Sequence, residues 1–176
     1  LLTAGVIGIT GWTPEFTMVF MTFLASLITA TGLFLLVYEV TKNYYIATLV
    51  PLLFSATAVY WGWITSGGPY VRIISLIWLP ISSWLALRWV QCPRKLNYLL
   101  AVLTTSIGFI SHIQVGLFTI ATVFFLIYFS SSGNLSNRLK QASKILVPSL
   151  LLSSYFYIPF LTSMPWELIC LSKSRT

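Results

Sequence analysis

The chain has 176 residues, of which 57% are hydrophobic and 7% charged, against roughly 25% charged in ordinary soluble domains; so few polar side chains do not cover a water-facing surface. The acidic residues are Glu15, Glu39 and Glu167, and there is no aspartate, which excludes most carboxylate-pair and carboxylate-cage metal chemistry. The net charge of +7 does not point to nucleic acid, because the cations punctuate apolar runs and do not build a basic face on a water-exposed fold.

The pattern predicts an all-α, polytopic transmembrane helix bundle in a single membrane domain, 1–176. A helix needs about 20 apolar residues to cross a hydrocarbon core about 30 Å thick. Residues 1–11 open the chain without Met or a basic flank and read as the outer part of a partial N-terminal helix, not a signal peptide. With no closing element after Leu171, the sequence reads as a fragment of a longer protein. The first full run is 17–38. The second, 44–65, contains Pro51, which membrane helices tolerate where neighbours re-satisfy the freed carbonyl, and is followed by the breaker Ser66-Gly-Gly-Pro69. The third, 72–90, holds Pro80 and ends near Arg88, placed to snorkel toward headgroups.

No charged residue occurs between Leu96 and Asn137, a length far beyond any bilayer at about 1.5 Å per residue. The run must fold back, and the natural break is Gly108-Phe-Ile-Ser-His-Ile-Gln-Val-Gly116, where glycines flank polar residues. This gives two short spans, 97–111 and 114–130, before the last, 145–161, with Pro148 and Pro159 near its ends. Counted with the two short ones there are six helical spans, or about five full crossings. Lys42, then Arg88, Arg94 and Lys95, then Arg138, Lys140 and Lys144 fall on alternate connections, which assigns the basic loops 39–43, 91–96 and 131–144 to the cytoplasmic side of the cell membrane. Arg72, Lys173 and Arg175 fall on the other side. The glycosylation match Asn134-Leu-Ser136 lies in a cytoplasmic loop and reads as chance. Cys92 and Cys170, on opposite faces, are expected as free thiols; they are too few for a disulfide framework or a zinc site, so no metal is expected, and no motif specifies a cofactor.

The remaining polar residues gather on the outer face: Trp12-Thr-Pro-Glu15, Trp61-Gly-Trp63 with Ser66 to Arg72, Ser111-His-Ile-Gln114, and Ser163-Met-Pro-Trp-Glu167. Four turns on one side are candidates for one site. Its substrate-binding candidates are Arg72, His112, Gln114, Glu15, Glu167, Trp61, Trp63 and Tyr70, since ionisable groups at membrane depth point to function. Each also has a structural reading. Arg72 beside Tyr70 serves equally as an interfacial anchor; His112 in a turn, as a hydrogen-bonded structural residue; Glu15 after Pro14, as a carboxylate favoured at a helix N-terminus; the tryptophans, as an interfacial belt. Aromatic platforms beside Arg and His also suit a lipid phosphate or a sugar ring.

In Gly32-Leu-Phe-Leu-Leu-Val-Tyr38, Ser66-Gly-Gly-Pro-Tyr-Val-Arg72, Ile77-Trp-Leu-Pro80 through Leu87-Arg88, Ser111-His-Ile-Gln114 and Tyr155-Phe-Tyr-Ile-Pro-Phe160, the chain resembles the GT-C-type superfamily of polytopic membrane glycosyltransferases. Within it, the chain is most similar to prokaryotic membrane proteins known as 6-pyruvoyl-tetrahydropterin synthase-related. The resemblance spans roughly 12–161. It implies an outer face that binds a polyprenyl-phosphate sugar donor and transfers the sugar, with an acidic base in the first outer loop, upstream of Leu1. Glu15 does not match that base by position, so no catalytic residue is assigned. Arg72 and His112 match the broader idea that cationic or donor groups hold the lipid phosphate. The pterin chemistry in that name needs zinc-binding histidines, and the chain has one His. The alternatives are a transporter or channel component, in which Pro51, Pro80 and Pro148 mark broken helices along a path, and a non-catalytic membrane scaffold subunit.

Overall fold

The structure, a computed structural model, describes residues 2–57 and 70–163. Among the described residues every regular element is an α-helix: α1 (Leu2–Thr10), α2 (Pro14–Thr41), α3 (Tyr44–Ala56), α4 (Tyr70–Leu76), α5 (Trp78–Gln91), α6 (Lys95–Ser111), α7 (Ile113–Ser130) and α8 (Leu135–Ser163). Among the described residues three stretches are long and apolar enough to cross a membrane: Pro14–Thr41, Ile73–Gln91 and Ile113–Ser130. The apolar helices α3, with 13 residues, and α6, with 17, are about 20 Å and 26 Å long, less than one hydrocarbon thickness.

Local chemistry explains the helix ends. Thr13 caps α2, its Oγ1 accepting from Phe16 N at 3.4 Å, and Pro14 occupies the first helical position, where a missing N–H costs nothing. At the other end Lys42 takes the left-handed conformation (φ 53°, ψ 23°) and its N–H donates to Tyr38 O. The next residue, Asn43, caps α3 through Oδ1, which accepts from Tyr45 N at 2.9 Å and Ile46 N at 3.3 Å. The expected loop 39–43 is therefore a two-residue corner.

Several expected boundaries need correction. The span 44–65 does not continue as helix: it stops at Ala56, where Thr57 is extended (φ −69°, ψ 133°) and closes the last turn on Phe54 O through both N–H and Oγ1. The span 72–90 is divided at Ile77 into α4 and α5; Pro80 has no N–H for the carbonyl of Leu76, and the ladder is interrupted there. The largest shift concerns the basic loop 131–144. Helix α8 begins at Leu135, ten residues before the expected Ile145, because Asn134 Oδ1 accepts from Asn137 N at 3.1 Å and its carbonyl accepts from Arg138 N. Arg138, Lys140 and Lys144 are thus on helix, and the connection is 131–134. The Asn134 amide works as a helix cap.

The predicted fold-back is found within its window. Helices α6 and α7 are joined by His112 alone, extended at φ −161°, ψ 117°. Close approach at this corner requires glycine: a Cβ on Gly116 would lie 2.4 Å from Phe109 Cα, and one on Gly108 would lie 2.9 Å from Trp78 Cβ.

The bundle is built from α5, α6, α7 and α8, whose shared core contains Leu85, Ala86, Ala101, Val102, Val123, Ile127, Ala142 and Ile145. Helix α2 packs on α5, with Gly32 against Pro80, and carries α3 on its outside. Helix α4 packs on α2, α6 and α7. Half of the Ile73–Gln91 stretch is buried, against 17% of Pro14–Thr41, so α4 and α5 form the central element. Buried positions are rich in Ser, Thr and Ala, including Thr17, Thr29, Ser82, Ser83, Thr105, Ser106, Thr119, Ser149 and Ser153, while Phe118, Phe129 and Leu151 are about two-thirds or more exposed. Small residues inside and large apolar ones outside is the distribution that suits helices packing in lipid.

Helices α6 and α8 run parallel and are tied by side chains to backbone carbonyls. The Ser149 hydroxyl lies 3.2 Å from Val102 O, that of Ser106 3.2 Å from Ser149 O, and that of Ser153 3.4 Å from Ser106 O. Each is also within 2.8 Å of the carbonyl four residues earlier in its own helix, so one proton is shared between two acceptors. Two tyrosines complete the series. Pro148 leaves the carbonyl of Lys144 without its helical donor, and Tyr98 OH donates to that oxygen at 3.2 Å. Phe109 O belongs to the last turn of α6, whose carbonyls have no partner within the helix, and Tyr157 OH donates to it at 2.6 Å.

Candidate functional site

The alternation of helices puts Lys42, Arg88, Arg94, Lys95, Arg138, Lys140 and Lys144 at one end of the bundle, at or near the α2–α3, α5–α6 and α7–α8 connections. The opposite end carries the N-termini of α2 and α4, the His112 corner and the end of α8. The candidate site belongs to this second end.

This end carries an open groove of about 700 Å³ between the α6–α7 corner and α8, lined by Phe109, Ile110, Ser111, His112, Ile113, Leu150, Ser154, Tyr157 and Ile158. The lining is mainly hydrocarbon. The Phe109 and Tyr157 rings meet edge to face at 5.2 Å, and the Tyr157–Phe109 hydrogen bond fixes α8 against the end of α6. Polar groups are few. The Ser111 hydroxyl donates to Ile107 O at 2.7 Å and that of Ser154 to Leu151 O at 2.7 Å, so both leave acceptor lone pairs available. His112 is half-buried at the head of the groove. Ile113 and Ile158, more than half exposed, open the groove sideways along the apolar surface.

The other candidates are placed as follows. Gln114 is exposed in the first turn of α7, two residues beyond His112. Tyr70 and Arg72 are in the first turn of α4, and that helix packs on both α6 and α7, the pair joined at His112; the side chains of Tyr70 and Arg72 lie outside the described residues. So do Trp61, Trp63 and Glu167, and with them Cys170. Glu15 is exposed in the first turn of α2, where it complements the helix dipole; it does not line the groove. Trp12 packs edge-on against Phe16 and Phe20 at 4.9 and 5.1 Å and does not line the groove. Among the described residues no three His, Cys, Asp or Glu side chains come together as a metal site would need, and Cys92 is a free, exposed thiol.

Phe109, Ser154 and Tyr157 line the groove without having been identifiable as site residues from the sequence. The available signal was the four-residue spacing of Ser149, Ser153 and Tyr157, one polar stripe on an otherwise apolar helix. No protein-family model, curated protein or solved structure matches the chain.

Proposed function

We propose that the chain is a polytopic protein of the cell membrane, crossing about five times with its basic connections in the cytoplasm, and that the His112 groove binds the lipid tail of a polyprenyl-phosphate-linked sugar at the extracytoplasmic face. Membrane association is supported by the three long apolar helices and the apolar exterior. The cytoplasmic assignment rests on the gathering of seven cations at one end under the positive-inside rule. Substrate class rests on one observation: a laterally open, hydrocarbon-lined groove whose polar head is His112. GT-C-like sugar transfer is the chemistry in keeping with the sequence resemblance. An acceptor hydroxyl oxygen attacks the anomeric carbon, the bond from that carbon to the phosphate oxygen breaks, and the lipid phosphate leaves, taking up the hydroxyl proton, with its remaining negative charge held by donors at the groove head. His112, Gln114 and Arg72 are the residues proposed to hold that phosphate; no residue of this chain is assigned as the base.

A second reading, a transporter component, is favoured by the interruption of α4 and α5 at Ile77 above Pro80, since broken helices line substrate paths. The two readings separate experimentally. In membranes containing the chain, a photoreactive polyprenyl-phosphate probe is expected to crosslink to α6–α8, with His112→Ala and Arg72→Ala each lowering the yield while membrane insertion is unchanged. Equal crosslinking in both variants overturns the lipid-phosphate reading. Flux of a solute across proteoliposomes without crosslinking favours the transporter. A cysteine placed at position 112 is expected to react with an impermeant reagent from outside the cell; reaction from the cytoplasmic side alone reverses the topology.

A further inference from the structure

We infer that the opposite, basic end of the bundle carries a binding site for the head group of an anionic phospholipid, seated between the α5–α6 and α7–α8 connections. A cavity of about 150 Å³ lies there, lined by Trp89, Val90, Pro93, Ser131, Ser132 and Gln141. Buried hydroxyls are almost always hydrogen-bonded, yet Ser131, only 6% exposed, has a hydroxyl with no partner among the described residues. A ligand oxygen at this cavity would meet a polar wall already desolvated.

Cations stand next in sequence to the lining residues on both connections. Arg94 and Lys95 follow Pro93 directly, and Lys140 adjoins Gln141. Arg138 reaches back across the α7–α8 connection, its Nε donating to Gly133 O at 3.1 Å and its guanidinium lying 5.6 Å from the Tyr128 ring. These contacts hold its position but leave its charge unneutralised. The carboxylates among the described residues are Glu15, at the far end of α2, and Glu39, which pairs with Lys42 at 2.6 Å. An anion is therefore the complement that this end lacks.

The surroundings select a lipid over a soluble anion. Leu96 (64% exposed), Phe129 (72%) and Leu135 (59%) stand on the helix ends that flank the two connections. Charge at the cavity and hydrocarbon beside it match a phosphate with acyl chains running along the bundle, and basic pockets between helices on the cytoplasmic side take such head groups. A free phosphate would leave the apolar flank unused. This inference rests on the membrane reading above, but not on the His112 groove.

The test uses the full chain extracted from membranes in mild detergent, with bound lipid read by native mass spectrometry after exposure to phosphatidylglycerol and phosphatidylcholine. Phosphatidylglycerol is expected to be retained about tenfold or more over phosphatidylcholine, and Arg94→Gln with Lys95→Gln to lower that preference by about tenfold. Gln141→Leu removes the amide from the cavity wall without changing charge and is expected to lower retention as well. Lys42→Gln, at the same end but paired with Glu39, is expected to leave it unchanged. An equal loss in Lys42→Gln, unchanged retention in Gln141→Leu, or no lipid preference at all overturns the site. Displacement of the lipid by inorganic phosphate alone would mark a small-anion site and overturn the lipid assignment. If the chain is absent from the membrane fraction, the membrane reading falls, and this inference with it.

Discussion

Replacing Gly116 by alanine tests the packing that makes the His112 corner. The added Cβ would stand 2.4 Å from Phe109 Cα, 2.7 Å from its Cδ2 and 3.0 Å from its Cβ, whereas carbon atoms rest at about 3.5–4.0 Å. Relief requires α6 and α7 to part by about 1 Å or more, because a backbone atom does not rotate away. Overpacking of this kind costs about 1–3 kcal/mol, and a contact against backbone belongs at the upper end. Alanine recovers about 1 kcal/mol of helix propensity, so the net expectation is a loss of about 2 kcal/mol. Reversible unfolding in mixed micelles titrated with dodecyl sulfate measures this. Gly8→Ala in α1, where nothing lies within 4 Å of the new methyl, is the reference and is expected to be neutral or slightly stabilising. Phe109 also carries the Tyr157 hydrogen bond, so Gly116→Ala should lower crosslinking of the polyprenyl-phosphate probe along with stability. A Gly116→Ala protein as stable as the Gly8→Ala reference would refute the close packing at the corner.

The two tyrosine hydroxyls should differ in worth. Tyr157→Phe removes a 2.6 Å bond in a part-buried setting and is expected to cost about 1–2 kcal/mol, whereas Tyr98→Phe removes a 3.2 Å bond in an exposed one and should cost less than about 1 kcal/mol; the same micelle titration reads both, and the reverse order would contradict the burial assigned to them. Asn134→Ala deletes the cap of α8 and is expected to cost about 1 kcal/mol, visible as faster amide exchange at residues 135–138, with rates unchanged if the helix does not begin there.

The sequence carried the helical class and the fold-back because both depend on coarse quantities: apolar length, and polar residues bracketed by glycine. Gly108 and Gly116 marked the corner correctly, for the reason that neither position has room for a side chain. Helix ends were less legible. A hydropathy argument ends a span where charge begins, yet Arg138, Lys140 and Lys144 sit on α8 because an Asn134 cap, and not a polarity change, starts the helix. Ala56 likewise ends α3 with no charged residue nearby, through the local closure of Thr57 on Phe54. The groove was half visible. Ser111, His112 and Gln114 stood out as polar residues, but Phe109 and Tyr157 come together across 48 residues, and that pairing depends on how α8 packs on α6.

Both proposed sites lie where helices end or are interrupted, and the physical reason is the same at each. In hydrocarbon a backbone carbonyl without a donor has no water to turn to, so a break in a helix is stable only beside a polar group from another element. Tyr157 supplies that group at the His112 corner, and within the continuous α8 Tyr98 donates to the Lys144 carbonyl freed by Pro148. At the His112 corner this brings hydroxyls, a helix terminus and space into one place. Through the middle of the bundle the Ser106, Ser149 and Ser153 hydroxyls turn back to backbone carbonyls and close the α6–α8 seam against ligands. The two proposed sites accordingly fall at the two ends: a hydrocarbon-lined groove headed by His112 at one, and a polar-walled cavity flanked by basic connections at the other.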